Sequence, residues 1–229
     1  MKTIFILLLS CCFFATTTEA QNKWYLIGTG SVGSSGIKQG SLWPEEYISN
    51  ITGFNAQARV GYHFKKWRVE AGLQYNVTGY KQGLTFGNSF PDTMPTGSLK
   101  TTFREVSVPL QLGYEIPVSS KLMIVPYLGI TTGLCLGSYY TTRLPDTAVI
   151  SGKSDSKSFN YAYHKVNVWG SAAVHAEYKL SSRWGIIAGP SFQYMLNNMM
   201  KRSASMIPES NAVQHNYLLA FDLGLKMNL

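Results

Sequence analysis

The side chains best equipped for chemistry in this sequence are charged residues that recur two positions apart. Arg68 and Glu70 are so spaced, as are His175 and Glu177, and Arg59, His63, Glu105, Glu115, Lys165, Asp222 and Lys226 stand in stretches of the same kind. Spacing by two places neighbours on one face of an extended chain. Acid–base catalysis would need a nucleophile beside a base, a metal would need convergent ligands, and an ion-pair network needs only balanced charge. The four histidines stand far apart at 63, 164, 175 and 215, and the residues two places after them are Lys65, Val166, Glu177 and Tyr217, so no serine follows at the spacing of a His-x-Ser nucleophile pair. Glu177 shares a face with His175, but no nucleophile is evident beside them. The expectation is a self-neutralising polar network made of Arg59, His63, Arg68, Glu70, Glu105, Glu115, Lys165, His175, Glu177, Asp222 and Lys226. No catalytic residue, metal ligand or cofactor is expected.

The elements that carry these residues are strands. Phe54, Ala56, Ala58, Val60, Tyr62 and Phe64 alternate with Asn55, Gln57, Arg59, Gly61 and His63. After Lys65-Lys66 the alternation resumes in the opposite phase through Trp67, Val69, Ala71, Leu73, Tyr75 and Val77. That phase change predicts a hairpin with Phe64 opposite Trp67 and Arg59 opposite Gly72. Arg59 then lies diagonal to Glu70, within reach of a long side chain across a strand pair, and an ion pair is expected. Period two returns in 106–116, 122–130, 166–178, 184–196 and 213–229, and more weakly in 24–32, so eight strands are expected.

The connections alternate in length. Short turns fall at Lys65-Lys66, Pro117 to Lys121 and Ser181-Ser182, and long polar segments at about 33–52, 81–100, 139–162 and 198–212. Short turns on one side and long loops on the other are the layout of a transmembrane β-barrel. The apolar rows reach the roughly 9 to 11 tilted residues that cross a hydrocarbon layer. Their partner rows are mostly Gly, Ser, Asn, Gln and Thr, too poor in charge for a water-facing exterior. Apolar side chains are therefore read as facing lipid; a soluble lipocalin-like barrel is the alternative. Phe64, Trp67, Tyr114, Tyr178 and Trp184 cluster near the short turns, where one interfacial aromatic girdle is expected, while Phe54, Tyr75, Phe103, Tyr194 and Tyr217 lie toward the long loops. In the uncharged stretch 122–142, Gly129, Gly133 and Gly137 are spaced as in a packing helix. Pro126 and Thr131-Thr132 favour a strand instead, with these glycines, Thr131 and Cys135 on the lumen side.

Composition agrees with a membrane barrel. Only 14% of the 229 residues are charged, against about 25% in soluble domains. The formal charge of +8 comes without a run of three basic residues or a recognition signature, so nucleic acid is not an expected partner. Lys2, the apolar run from Ile4 to Ala15 and Thr18-Glu19-Ala20 read as a signal peptide over residues 1–20, followed by a barrel over 21–229. Leu8-Leu9-Ser10-Cys11 also resembles a lipoprotein box, leaving lipidation at Cys11 as the competing reading. Cleavage after Ala20 leaves Cys135 alone, without an internal disulfide.

The strand pattern and turn order, from about Trp24 to Leu229, resemble the small outer-membrane β-barrel domain proteins of the OmpX, OmpA-barrel and PorT-like kind. The chain differs from many of them in ending on Leu229 rather than an aromatic residue. The resemblance implies an all-β, eight-stranded antiparallel up-and-down barrel in the outer membrane of a Gram-negative cell, both termini periplasmic. It implies a structural or surface-interaction role, with a PorT-like accessory role in secretion or envelope assembly within that class and a lipid-modifying enzyme as the alternative. Implied partners are outer-membrane lipid, lipopolysaccharide and the barrel-assembly machinery, and a monomer is expected. A surface ligand would meet the long segments, where Trp43, Tyr47, Phe86, Phe90, Phe159, Tyr161 and Tyr163 lie among Gly, Ser, Asn and Pro. Lys38, Lys81, Lys100, Arg143, Lys153, Lys157, Lys201 and Arg202 are suited to lipopolysaccharide phosphates.

Overall fold

A computed structural model describes residues 23–39, 47–84, 97–143, 149–154, 163–199 and 214–229. The signal segment, Cys11, Trp43, Phe86, Phe90, Lys157, Phe159, Tyr161, Lys201, Arg202 and Val213 lie outside the described residues. The described strands are β1 (Trp24–Gln39), β2 (Ile48–Phe64), β3 (Trp67–Leu84), β4 (Gly97–Tyr114), β5 (Ile116–Pro117), β6 (Leu122–Arg143), β7 (Val149–Lys153), β8 (Val166–Lys179), β9 (Trp184–Met195) and β10 (Gln214–Asn228).

They pair antiparallel in the order β4-β3-β2-β1-β10-β9-β8-β6, and β4 pairs with β6 to close a ring of eight. The short β5 continues β4 along β6, and β7 pairs with the far end of β6. Closure removes the sheet edges that lipid could not satisfy. At the β2–β3 hairpin Phe64 faces Trp67 and Arg59 faces Gly72, as the phase change requires. Lys65 takes φ 58° there, the left-handed conformation that two-residue hairpins use. The other short turns are tied by hydroxyls: Ser119 Oγ accepts from the amides of Lys121 and Leu122, and Ser181 Oγ from those of Arg183 and Trp184.

The outer rows are apolar and exposed, with Leu112 at 46% and Leu223 at 61%. The ladders continue past the points where those rows stop: β1 runs to Gln39, β2 begins at Ile48, β3 reaches Leu84 and β4 begins at Gly97. Backbone pairing needs no apolar outer face once the wall leaves hydrocarbon, so hydropathy marks the membrane band rather than the strand ends.

The stretch 122–143 is strand throughout. Thr131 and Cys135 are buried on its inner side, but Gly137 is not on that row. A β-bulge between Arg104 and Glu105 sets Glu105 opposite Cys135 and Arg104 opposite Gly137. The extra residue flips the phase, carrying Gly137 to the side of exposed Arg104. Its φ of 151° is a conformation that side-chain-bearing residues rarely adopt.

Candidate functional site

Beginning at the short turns, the lumen holds a cluster of charges and phenols. Arg59 Nη1 lies 2.9 Å from Glu70 Oε2, an ion-pair contact without hydrogen-bond alignment, and Arg59 also donates to Gln111 Oε1. Glu70 Oε1 accepts from the hydroxyls of Tyr25 and Tyr127, each at 2.7 Å. Gly61 makes this approach possible, because a Cβ there would meet the Tyr25 ring.

Arg68 crosses the barrel from β3 to β8. It donates to both oxygens of Glu177, at 2.8 Å for Nη2 to Oε2, and also to Glu115 and to Tyr127. Two parallel bonds to one carboxylate are the strong arrangement for a guanidinium. Lys226 Nζ reaches Glu177 at 3.2 Å and stands 4.3 Å from the Tyr25 ring centroid. His63 and Glu115, both half-buried, meet at 2.6 Å. Opposite charges are thus interleaved across β2, β3, β8, β10 and Glu115 at the end of β4, with Tyr25 of β1 bonded among them, and no described acid is left without a polar partner.

Above this cluster amide side chains share the lumen with two further carboxylates, Asp222 and Glu105. Gln74 spans the lumen to Gln193 at 3.0 Å and also donates to Asn76. Asp222 takes Ser191 Oγ at 2.6 Å and faces His175 Nε2 at 2.9 Å. The carboxylate sits between the other two, so Ser191 gives its proton to Asp222 rather than to an imidazole, and no nucleophile–base relay is formed. Glu105 accepts from Asn167 and Trp169, both at 2.7 Å.

Toward the long loops the lumen turns apolar. Ile37, Tyr80, Phe103, Cys135, Trp169, Met195 and Met199 form one buried cluster, with Ile48 and Tyr163 packed against it. Gln82, Thr101, Gln214 and Asn216 are buried at this height as well, so polar lining continues around the cap while the charged network lies below it. Lys165 lies exposed ahead of β8 and takes no part in the network. Phe103, at 2% exposed, points inward rather than joining an outer girdle, because inner-row side chains at this height pack on one another.

Tyr25, Gln74, Gln111, Tyr127, Gln193 and Trp169 were not singled out by charge, yet they take part in many of the cross-lumen bonds. Their position on inner rows was the available signal. The girdle near the turns has Phe64, Trp67, Tyr178 and Trp184 exposed and Tyr114 in edge contact with Trp67, ring centroids 4.9 Å apart. An apolar hollow of about 530 Å³ lies in the wall near Pro126 and Pro190. It is bordered by the outer-row Leu128, Phe192 and Leu219 and so opens toward the lipid side. No group of His, Cys, Asp and Glu placed to hold a metal occurs among the described residues.

The family model described as outer membrane protein beta-barrel domain matches residues 3–224. No curated protein matches the chain. Among solved structures it is similar to a major outer membrane protein from Thermus thermophilus, with 12% identity and a TM-score of 0.50, over 90% of this chain and 99% of that one. It is also similar to Neisserial surface protein A, at 14% identity and a TM-score of 0.48 over 93% of this chain and 100% of that one. The outer membrane protease OmpT from Escherichia coli matches at 9% identity and a TM-score of 0.47, over 94% of this chain and 99% of that one. Identities this low speak to the fold alone.

Proposed function

The chain belongs to the family of outer membrane protein β-barrel domains, and on that premise we propose an integral outer-membrane protein that neither conducts solutes nor catalyses a reaction, and acts through its surface. The observation that carries this reading is the filled lumen. Arg68 joins Glu177 across the barrel, Gln74 joins Gln193, and the cap from Ile37 to Met199 follows above them. An eight-stranded barrel has room for its own side chains and little else. The Asp222 arrangement supports the non-catalytic part, since its serine donates to a carboxylate and has no imidazole to activate it.

Both termini and the short turns face the periplasm in this reading, and the long connections face the outside, where surface ligands would be met. The lipid partners are those of the outer membrane, and the barrel-assembly machinery inserts the chain. A role beside secretion or envelope-assembly proteins is compatible with a closed barrel that presents loops.

The purified chain, reconstituted in a planar bilayer, is expected to give no current steps above the bare-membrane baseline in 1 M salt, roughly the ionic strength at which weak interactions between exposed charges are screened. Stable unitary steps at low voltage would show a water path through the lumen and overturn the reading.

A further inference from the structure

The outer row of β4 stops being apolar at Arg104. Val106, Val108, Leu110 and Leu112 lie on the turn side of it, and Thr102 and Lys100 on the loop side. The Arg104 guanidinium stands 4.1 Å from the centroid of the Tyr139 ring, and Lys153 Nζ approaches the same ring at 5.9 Å. Both distances are within the range of cation–π attraction. The bulge is what brings them together, since it shifts Tyr139 to the outer side of β6, where it pairs with Lys153 of β7.

Nearer the loops, Lys100 of β4 is the direct register partner of Lys81 on β3. Like charges directly opposite each other in a ladder repel, and neither has an acidic partner among the described residues. The described acids, Glu70, Glu105, Glu115, Glu177 and Asp222, all bond within the barrel. Arg143 adds a further exposed cation at the end of β6. Among the described residues, the wall formed by β3, β4, β6 and β7 is therefore strongly positive above its apolar band, with two of its cations held in mutual opposition.

We propose that this wall binds the phosphate of a lipid headgroup in the surrounding leaflet. Arg104 and Lys153 hold the anion beside Tyr139, and Lys81 and Lys100 are brought to one phosphorylated headgroup that offsets their repulsion. A lipid is the occupant because the site is continuous with exposed Val106, Val108, Leu134 and Leu136. Acyl chains lying on those residues deliver the headgroup to this height. The proposal rests on the outer-membrane reading and names the lipid chemistry and residues within it.

The test is native mass spectrometry of the full chain in detergent, titrated with bis-phosphorylated lipid A and with the same lipid after removal of its phosphates. The phosphorylated lipid is expected to be retained and the dephosphorylated one lost. R104Q/K153Q is expected to weaken retention about thirtyfold, from roughly fivefold per basic residue at a membrane surface. K81Q/K100Q is expected to weaken retention while raising the unfolding temperature of the lipid-free barrel, a pairing of signs that a purely structural role would not give. Equal retention of both lipids, or an unchanged affinity in R104Q/K153Q, would overturn the site. So would soluble pyrophosphate binding as tightly as the lipid, because the ligand would then be a free polyanion. Folding and insertion are read separately from the gel mobility of boiled and unboiled samples, so loss of the site and failure of the membrane reading give different signals.

Discussion

Arg68→Met is expected to lower the stability of the barrel by about 3 to 5 kcal/mol, the usual cost of leaving a buried charge without its partner. Arg68 is fully buried. Its loss removes the two bonds to Glu177 together with those to Glu115 and Tyr127. Lys226 remains beside Glu177 at 3.2 Å, and His63 beside Glu115 at 2.6 Å, so the loss should sit at the lower end of that range. Glu177→Gln should cost less than Arg68→Met, because Glu115 still neutralises the guanidinium. The double variant should recover part of the summed loss, since the two residues are in direct contact. Urea unfolding of vesicle-inserted protein, followed by tryptophan fluorescence, measures all three. A change under about 1 kcal/mol for Arg68→Met would match the worth of a solvent-exposed pair and place the residue in water.

Leu223→Arg should be nearly as damaging for a different reason. Leu223 is on the outer row of β10, next to Asp222 on the inner row, and is 61% exposed. Such exposure of leucine is costly in water and favourable in hydrocarbon. An arginine at the bilayer midplane of a barrel costs about 2 to 4 kcal/mol. Leu112→Arg on β4, a comparable outer-row site, should behave alike. If either change leaves stability in lipid untouched, the outer row is not in hydrocarbon at that height.

The wall and the lumen were legible in the sequence to different degrees. Alternation in 54–64 and 67–77, broken by one phase change, was enough to set the β2–β3 register and hence to bring Arg59 to Glu70, because a two-residue turn leaves no freedom between them. Contacts between distant strands were not legible in that way. Which height on β8 faces Arg68 depends on the stagger of every strand around the ring, and no local pattern records it. Tyr25 and Tyr127 bond Glu70 from separate strands for the same reason.

The apolar cap was hidden by the rule that revealed the barrel. Ile37, Tyr80, Phe103, Trp169 and Met195 stand on rows that are otherwise polar, where period two reads a large apolar residue as an outward girdle or as noise. Gly137 shows the complementary limit, since a single bulged residue reverses every face assignment beyond it. Lys165 lies one residue before β8 begins, so its parity carried no meaning. Loop lengths were overestimated in hydropathy terms because β1, β2, β3 and β4 extend beyond the hydrocarbon band with polar outer faces.

The claim that joins these observations is a closed wall around a filled lumen, and the Cys135 thiol reports on it directly. In the chain starting at Gln21, Cys135 is the one cysteine, it is 5% exposed, and it sits on the inner row opposite Glu105. Vesicle-inserted protein is expected to resist both a charged, water-soluble thiosulfonate and an apolar, membrane-permeant maleimide, and to react with both at once when unfolded in urea. Rapid reaction of the folded protein with the water-soluble reagent would reveal an open aqueous lumen, and rapid reaction with the apolar reagent alone would put the inner row in lipid; either result contradicts the account.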